Sequence, residues 1–133
     1  MGRDLILDTN YLIAFERGTI DRSALDEDSI SVASISIAEF RVGIEMAATG
    51  ALAAERARVL TAITSVVEVL DYTELTAAHH AALIAHTRRN GSPRGAHDLI
   101  IAAHAAETGR FVLSRDAKAR FGDLPGVQAL DVP

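Results

Sequence analysis

The stretch LILDTNYLIAF, residues 5–15, decides the fold because it joins two kinds of element across a short polar break. Residues 5–8 are apolar up to an aspartate and predict a short buried strand. Residues 9–17 then predict a helix, which Gly18 ends. Asp8 stands at the junction, where a polar side chain commonly caps the first turn of a helix. The stretch therefore predicts a buried strand that runs directly into a helix.

The same alternation of strand and helix continues along the chain. Further strands are predicted at residues 30–33, 66–70, 110–114 and 127–132, the last after the Pro125-Gly126 turn. Further helices are predicted from residue 36 to Gly50 and at 52–64, 74–89 and 97–109, and residues 19–29 predict a polar loop with a helical turn. Strands that alternate with helices indicate the α/β class, here a three-layer α/β/α sandwich around a mostly parallel sheet.

Length and composition limit the kind of protein. A chain of 133 residues is long enough for a single domain with a sizeable core. The absence of cysteine from the sequence excludes disulfides, a Cys-ligated zinc site and a thiol nucleophile. We find no uncharged apolar run of about 18 residues and no leader pattern, so we expect a cytoplasmic protein without a membrane partner. The net charge of -5 argues against bulk coating of nucleic acid, but not against an enzyme with a local acidic site.

Four carboxylates stand where predicted strands end or where the following helices begin. They are Asp8, Glu39, Asp98 and Asp116. Each has a purely structural explanation: the first and last would cap helical turns, Ser36 and Glu39 fit a capping box, and Asp98 suits the positive end of a helix dipole. Parallel sheets of this class bind ligands beyond the carboxyl ends of their strands. Together the four acids therefore predict an oxygen-only cluster at that edge.

The chemistry that suits such a cluster is hydrolysis of a phosphodiester bond. Carboxylates that share one site repel each other, and a hard divalent cation neutralises them. Mg²⁺ or Mn²⁺ prefers octahedral oxygen coordination and keeps several waters, one of which can attack phosphorus in line. Our hypothesis is that the acids hold one or two such ions, with Asp8 and Asp116 nearest the hydrolytic water.

Four motifs, in order along the chain, carry a family resemblance. They are LDTN at 7–10, ISIAEFRVG at 35–43, GAHDLIIAAHA at 95–105 and LSRD at 113–116. They resemble the successive acidic motifs of the PIN-domain nucleases and, more narrowly, those of the VapC toxins of bacterial VapBC toxin-antitoxin pairs. The resemblance spans nearly the whole chain and implies a PIN-like fold, with residues 1–133 as a single PIN domain. Its most specific piece is the aspartate followed by Ile-Ala-Ala at 101–103.

The resemblance assigns roles to individual residues. It implies that the metal-binding catalytic acids are Asp8, Glu39, Asp98 and Asp116, and that the supporting hydroxyl or amide groups are Thr9, Asn10 and Ser114. Many relatives carry a further acid and a Phe soon after the fourth position. This chain departs from that pattern, since Lys118 and Ala119 precede Phe121. The first four acids are not affected.

The resemblance also implies an activity and partners. It implies a Mg²⁺- or Mn²⁺-dependent endoribonuclease toxin that cleaves structured RNA such as tRNA and so inhibits translation and growth. The products would carry a 5′-phosphate and a 3′-hydroxyl. The implied partners are a second copy of the chain in a homodimer and a small VapB antitoxin, whose tail covers the site and which alone binds operator DNA.

Basic residues flank the third and fourth motifs. They are Arg88, Arg89 and Arg94 before the third motif, and Arg110, Arg115, Lys118 and Arg120 near the fourth. As solvated cations near helix ends they would suit the helix dipole. Alternatively, they hold RNA phosphates beside the metal. The sequence leaves both interpretations open.

Two other functions remain open from the sequence. His79, His80 and His97, taken with Asp98 and Asp116, faintly resemble the metal site of the HD phosphohydrolases, although the predicted strands speak against that wholly helical fold. The alanine-rich helix faces would also suit an interaction protein, for example a partner in a repressor complex. Ordinary core packing is the competing explanation for those alanines, since Ala is the best helix former.

Overall fold

A computed structural model describes residues 2–18 and 25–130. The strands are β1 (Asp4–Leu7), β2 (Ser29–Ala33), β3 (Glu68–Leu70), β4 (Phe111–Leu113) and β5 (Gln128–Leu130). The helices are α1 (Thr9–Arg17), α2 (Ser34–Glu45), α3 (Gly50–Thr64), α4 (Glu74–Arg89) and α5 (Ala96–Thr108), with short 3-10 helices at Ala117–Ala119 and Phe121–Asp123. Most of the loop predicted at 19–29, and residues 131–132 of the last predicted strand, lie outside the described residues.

The five strands form one parallel sheet in the order β3-β2-β1-β4-β5. The chain moves from β1 to β2 and β3 in one direction, and then fills the other side of β1 with β4 and β5. The direction of winding therefore reverses between β1 and β4, where Leu7 pairs with Leu113. In doubly wound sheets the crevice at this reversal, beyond the carboxyl ends of the strands, is where ligands bind. The predicted parallel α/β class is confirmed.

Two cores, one on each face of the sheet, give the molecule three layers. Leu5 and Leu7 of β1 pack with residues of α1, α2 and α3 on one face. Ile6, between them, faces the other way and packs with Leu83 of α4 and Ile101 of α5. This alternation follows from the two-residue period of a strand, and all three β1 side chains are fully buried. Each contributes about 1.5–3 kcal/mol by leaving water.

One predicted helix boundary is wrong. Gly50 was predicted to close the second helix, but α2 ends at Glu45 and Gly50 is the first residue of α3. Thr49 caps α3, since its Oγ1 accepts a hydrogen bond of 3.1 Å from the Leu52 amide. A glycine beside a threonine therefore marks a helix start here, because the cap threonine supplies the acceptor that the first turn needs.

Two wider conclusions follow from the architecture. The five-stranded sheet is incompatible with the wholly helical fold of the HD phosphohydrolases, so that alternative is not supported. Within the described ranges, no helix combines the length and apolar character that a membrane span requires.

Candidate active site

Asp8 lies directly after β1, at the point where the winding of the sheet reverses. Its side chain is buried, with the residue 5% exposed. Oδ1 accepts a hydrogen bond of 2.7 Å from the Thr9 amide, so Asp8 caps α1 as the sequence predicts. Oδ2 accepts a second bond, of 2.8 Å, from the hydroxyl of Ser114 beyond β4. The cap therefore uses one carboxylate oxygen, and the other links two neighbouring strand ends.

Glu39 reaches the same edge from α2. Thr9 Oγ1 donates to Glu39 Oε1 at 2.7 Å and also lies 3.0 Å from Ser36 Oγ. The predicted capping box between Ser36 and Glu39 is wrong: β2 runs into α2 without a loop, the N-cap is Ala33, and Ser36 is buried inside the helix. The other Glu39 oxygen, Oε2, lies 3.2 Å from Nδ1 of His97, a contact that the sequence did not predict.

Asp98 lies in the first turn of α5, as the sequence predicts, and is partly buried. Gly95 is the N-cap of this helix. A Cβ at Gly95 would stand 3.3 Å from Asp98 Oδ2, closer than most Cβ contacts allow. The glycine therefore leaves room for the Asp98 carboxylate at the start of the helix.

Asp116 comes from the turn that follows β4 and is exposed. Its Oδ1 accepts a hydrogen bond of 3.0 Å from the Lys118 amide, which caps the short helix Ala117–Ala119 as the sequence predicts. Its own amide donates to Ser114 Oγ at 3.0 Å. Asp116 thus lies on an exposed turn that leads into a 3-10 helix, whereas the other three acids lie in α-helices or at the N-cap of one.

The supporting residues Asn10 and Ser114 join that turn to the rest of the site. Ser114 Oγ donates to Asp8 and accepts from the Asp116 amide, so one hydroxyl connects two of the acids. Asn10 Nδ2 donates to the same oxygen at 3.3 Å, and Asn10 Oδ1 accepts from the Arg115 amide at 3.1 Å. The structure therefore brings all three predicted supporting residues, Thr9 included, into direct contact with the acids or their turn.

Arg94 holds the far end of the same turn. Its Nη1 donates to the carbonyl oxygens of Ala119 and Arg120, the latter at 2.9 Å. Arg120 has φ 44°, a left-handed conformation that is rare for residues other than glycine. The Arg94 guanidinium is thus bound to backbone, whereas RNA binding by Arg88 and Arg89 stays a prediction.

Burial and the charges of neighbouring acids raise the pKa of two of the four carboxylates, Asp8 and Asp98. Burial raises the pKa of Asp8, and the charges of Glu39 and Asp116 raise it further, while hydrogen bonds from Ser114 and the Thr9 amide oppose the rise. Burial likewise raises the pKa of Asp98, followed by the charges of the other three acids. A raised pKa means that the charged form of the carboxyl group is disfavoured. A nearby cation would stabilise that charged form.

The chemistry of the four predicted ligands suits a hard divalent cation, since all four supply carboxylate oxygens. Across residues 2–18 and 25–130, however, no group of three or more His, Asp or Glu side chains is arranged to hold a metal ion. In this arrangement, one oxygen each of Asp8, Glu39 and Asp116 accepts a hydrogen bond from a protein donor. A cation at this edge would compete with these donors for the carboxylate oxygens.

A parallel sheet with acids at its point of reversal defines an α/β domain of the kind that binds ligands at strand ends. Comparison with known proteins makes this specific: the chain belongs to the PIN domain family, whose model matches residues 5–125. The resemblance to the PIN-domain nucleases that the four motifs predict is confirmed.

The chain is also similar to individual proteins described as VapC or VapBC. The chain is 36% identical over 64 residues to the tRNA(fMet)-specific endonuclease VapC of Salmonella typhimurium, a match that spans 48% of either protein. It thus matches about half the length of that curated relative. The fold is similar to that of DNA-bound VapBC from Salmonella typhimurium, with a TM-score of 0.83, 26% identity and 98% coverage of each chain. VapBC-5 from Mycobacterium tuberculosis matches with a TM-score of 0.79 and 27% identity, over 97% of this chain and 98% of that one.

Proposed function

We propose that the chain is a metal-dependent endoribonuclease, the toxin of a VapBC-type pair, which cleaves tRNA or another structured RNA and so inhibits translation and growth. The observation that carries the proposal is the convergence of Asp8, Glu39, Asp98 and Asp116 at the reversal point of the sheet, with two of them joined through the Ser114 hydroxyl. Membership of the PIN family and the VapC relative support it.

Each residue has a defined part in this proposal. The four acids would hold one or two Mg²⁺ or Mn²⁺ ions, with Asp8 and Asp116 nearest the attacking water. When bound, such an ion activates water for in-line attack and stabilises charge on the phosphoryl oxygens. Thr9 fixes Glu39 through its hydroxyl. Ser114 and Asn10 set the distance between the buried Asp8 and the turn of Asp116.

The proposal about partners is based on the similar solved structures. VapBC-5 is a member of the VapBC family of toxin-antitoxin systems, and VapBC from Salmonella typhimurium is bound to DNA. We propose that this chain forms a homodimer, is silenced by a VapB-type antitoxin, and contacts operator DNA through that antitoxin, and that both proteins act in the cytoplasm. Residues 1–133 would act as one PIN domain. The role of a repressor partner that the alanine-rich faces suggest would then coexist with catalysis.

The test is RNA cleavage by purified protein with total tRNA as substrate. We expect cleavage in Mg²⁺ or Mn²⁺, its loss in EDTA, and its loss in Asp98→Asn. Asp4→Asn is the matched control, because Asp4 is an exposed aspartate at the opposite end of β1. Cleavage by Asp98→Asn at the parent rate, or equal activity in EDTA, would refute the proposal.

A further inference from the structure

A cleft opens directly beside Asp116, lined by residues of β4 and β5 and of the segment that follows β4. Its volume is about 520 Å³, and Asp116 forms part of its wall together with Ser114. Sites for small ligands commonly span about 300–1,000 Å³. The cleft is therefore large enough for one nucleotide and shares a wall with the acidic site.

Small residues make up part of the lining of the cleft. Ala117, Gly122 and Ala129 line it, and all three are exposed. A Cβ at Gly122 would meet, among the described residues, the Ala129 Cβ at an ordinary 3.7 Å. Gly122 does not have a positive φ angle. A larger residue there would therefore occupy space in the cleft without straining the backbone.

Two arginines line the cleft, and the active-site network fixes their backbones. The Arg115 amide donates to Asn10 Oδ1, and the Arg120 carbonyl accepts from Arg94. Asp123 also lines the cleft, with its Oδ2 4.0 Å from Arg120 Nε. When Asp116 is engaged with a cation, the remaining charged side chains, two arginines and one aspartate, leave the lining net positive.

We propose that this cleft binds the nucleotide of the RNA chain that adjoins the scissile phosphodiester. The proposal rests on the proposed function and adds a substrate subsite to it. An RNA strand that places a phosphate beside Asp116 must continue past it, and the cleft lies there. Guanidinium groups suit the next phosphate because their planar fork binds two oxygens at once. The small lining residues would leave room for a base.

The lining of the cleft also predicts how selective it is for the base of the bound nucleotide. Phe121 contributes to the lining, but it is 3% exposed and offers no open ring face for stacking. Stacking on aromatic faces is the usual route to strong binding of unpaired bases. We therefore expect the cleft to accept different bases and to contribute mainly through the phosphate and through shape.

Two variants with different mechanisms test the proposal. Gly122→Leu fills the cleft without changing charge, whereas Arg120→Gln removes a charge and keeps a Cβ at the left-handed position. Arg58→Gln is the matched control, because Arg58 is an exposed arginine on α3 that pairs with Glu55. RNA affinity is measured by fluorescence anisotropy of a labelled single-stranded oligonucleotide in an Asp98→Asn background. KM and kcat for cleavage are measured in the otherwise unchanged chain.

We expect Gly122→Leu to weaken RNA binding about tenfold and to raise KM more than it lowers kcat, because it removes ground-state binding. Arg120→Gln should weaken binding and reduce the salt slope by about 0.7, the value for one lost phosphate contact in a single strand. Arg58→Gln should behave as the parent does, and Mn²⁺ affinity should be unchanged in all three variants.

The possible failures can be told apart. If the parent cleaves RNA while Gly122→Leu and Arg120→Gln bind and cleave as it does, the cleft proposal is overturned and the proposed function stands. If the parent does not cleave RNA in Mg²⁺ or Mn²⁺, the proposed function is overturned, and the cleft proposal with it.

Discussion

Asp8 and Asp116 both cap a helical turn, yet the molecule holds them in different ways. Asp8 is buried between β1 and α1, and its position follows from the elements on either side of it. Asp116 is exposed on a turn, and tertiary contacts from Asn10 and Arg94 hold that turn. One half of the site is therefore fixed by local structure, and the other half by contacts between distant segments. The two halves should respond differently to mutation.

The largest expected effect is the loss of catalysis when either acid is neutralised. We expect Asp8→Asn and Asp116→Asn each to lower RNA cleavage about 100-fold or more, since each removes a proposed metal ligand. Circular dichroism should show that both variants still fold. Full activity of Asp116→Asn beside an inactive Asp8→Asn would mean that the turn is not part of the site.

Arg94→Met tests how far the site depends on the turn that carries Asp116. The variant loses both hydrogen bonds to the backbone of the turn, and we expect cleavage and Mn²⁺ affinity to fall about tenfold because Asp116 is displaced. Arg94→Lys should restore part of the loss. Arg58→Met, at an exposed position on α3, is the control.

The same variants distinguish the two interpretations of Arg94. If Arg94 holds the turn, RNA affinity in the Asp98→Asn background changes little while metal affinity falls. If RNA affinity and its salt slope fall while Mn²⁺ affinity is unchanged, Arg94 binds an RNA phosphate and the positioning account is wrong.

Ser114→Ala tests the hydroxyl that joins the two halves. The variant leaves Asp8 Oδ2 and the Asp116 amide without this partner, so we expect a loss of about 1 kcal/mol in the free energy of unfolding. Cleavage should fall about fivefold, which corresponds to a similar free energy. Ser65→Ala is the control, because its hydroxyl binds a carbonyl at the exposed end of α3. Equal stability and activity in both variants would show that the link has no role.

The smallest expected effect is a gain in stability for Asp98→Asn without metal. The raised pKa of Asp98 means that its stabilising contribution is complete below about pH 3.9, the ordinary value, and is lost as pH rises through the folded-state value. The advantage of the variant should therefore be near zero at pH 3.5 and greatest at neutral pH, where its thermal midpoint should exceed that of the parent by roughly 2–4 °C. A constant difference at all pH values would contradict this explanation.

The locally determined features were predictable from the sequence. The bounds of α1 and α4 match the prediction, because periodic apolar residues and clear caps define them. The caps at Asp8 and Asp116 were also predictable, since each depends on neighbouring residues. The start of the second helix was less predictable from the sequence. It depends on β2 running directly into α2 without a loop, which no local sequence pattern encodes.

The contacts between distant segments were not predictable from the residues alone. Thr9 meets Glu39, and Arg94 meets Ala119, through the order of strands in the sheet. The contact of His97 with Glu39 had one available signal, since His97 directly precedes Asp98, but its partner is 58 positions away in sequence. The family resemblance named Thr9, Asn10 and Ser114 without showing what each contacts.

The central claim is that the carboxylates at the reversal point of the sheet form one divalent cation site. Isothermal titration of Mn²⁺ into the parent, Asp8→Asn and Asp4→Asn tests it most directly, because it needs neither RNA nor an antitoxin. The account predicts saturable binding to the parent and to Asp4→Asn, and its loss in Asp8→Asn. Equal binding by Asp8→Asn and the parent, or no binding by the folded parent, would contradict it.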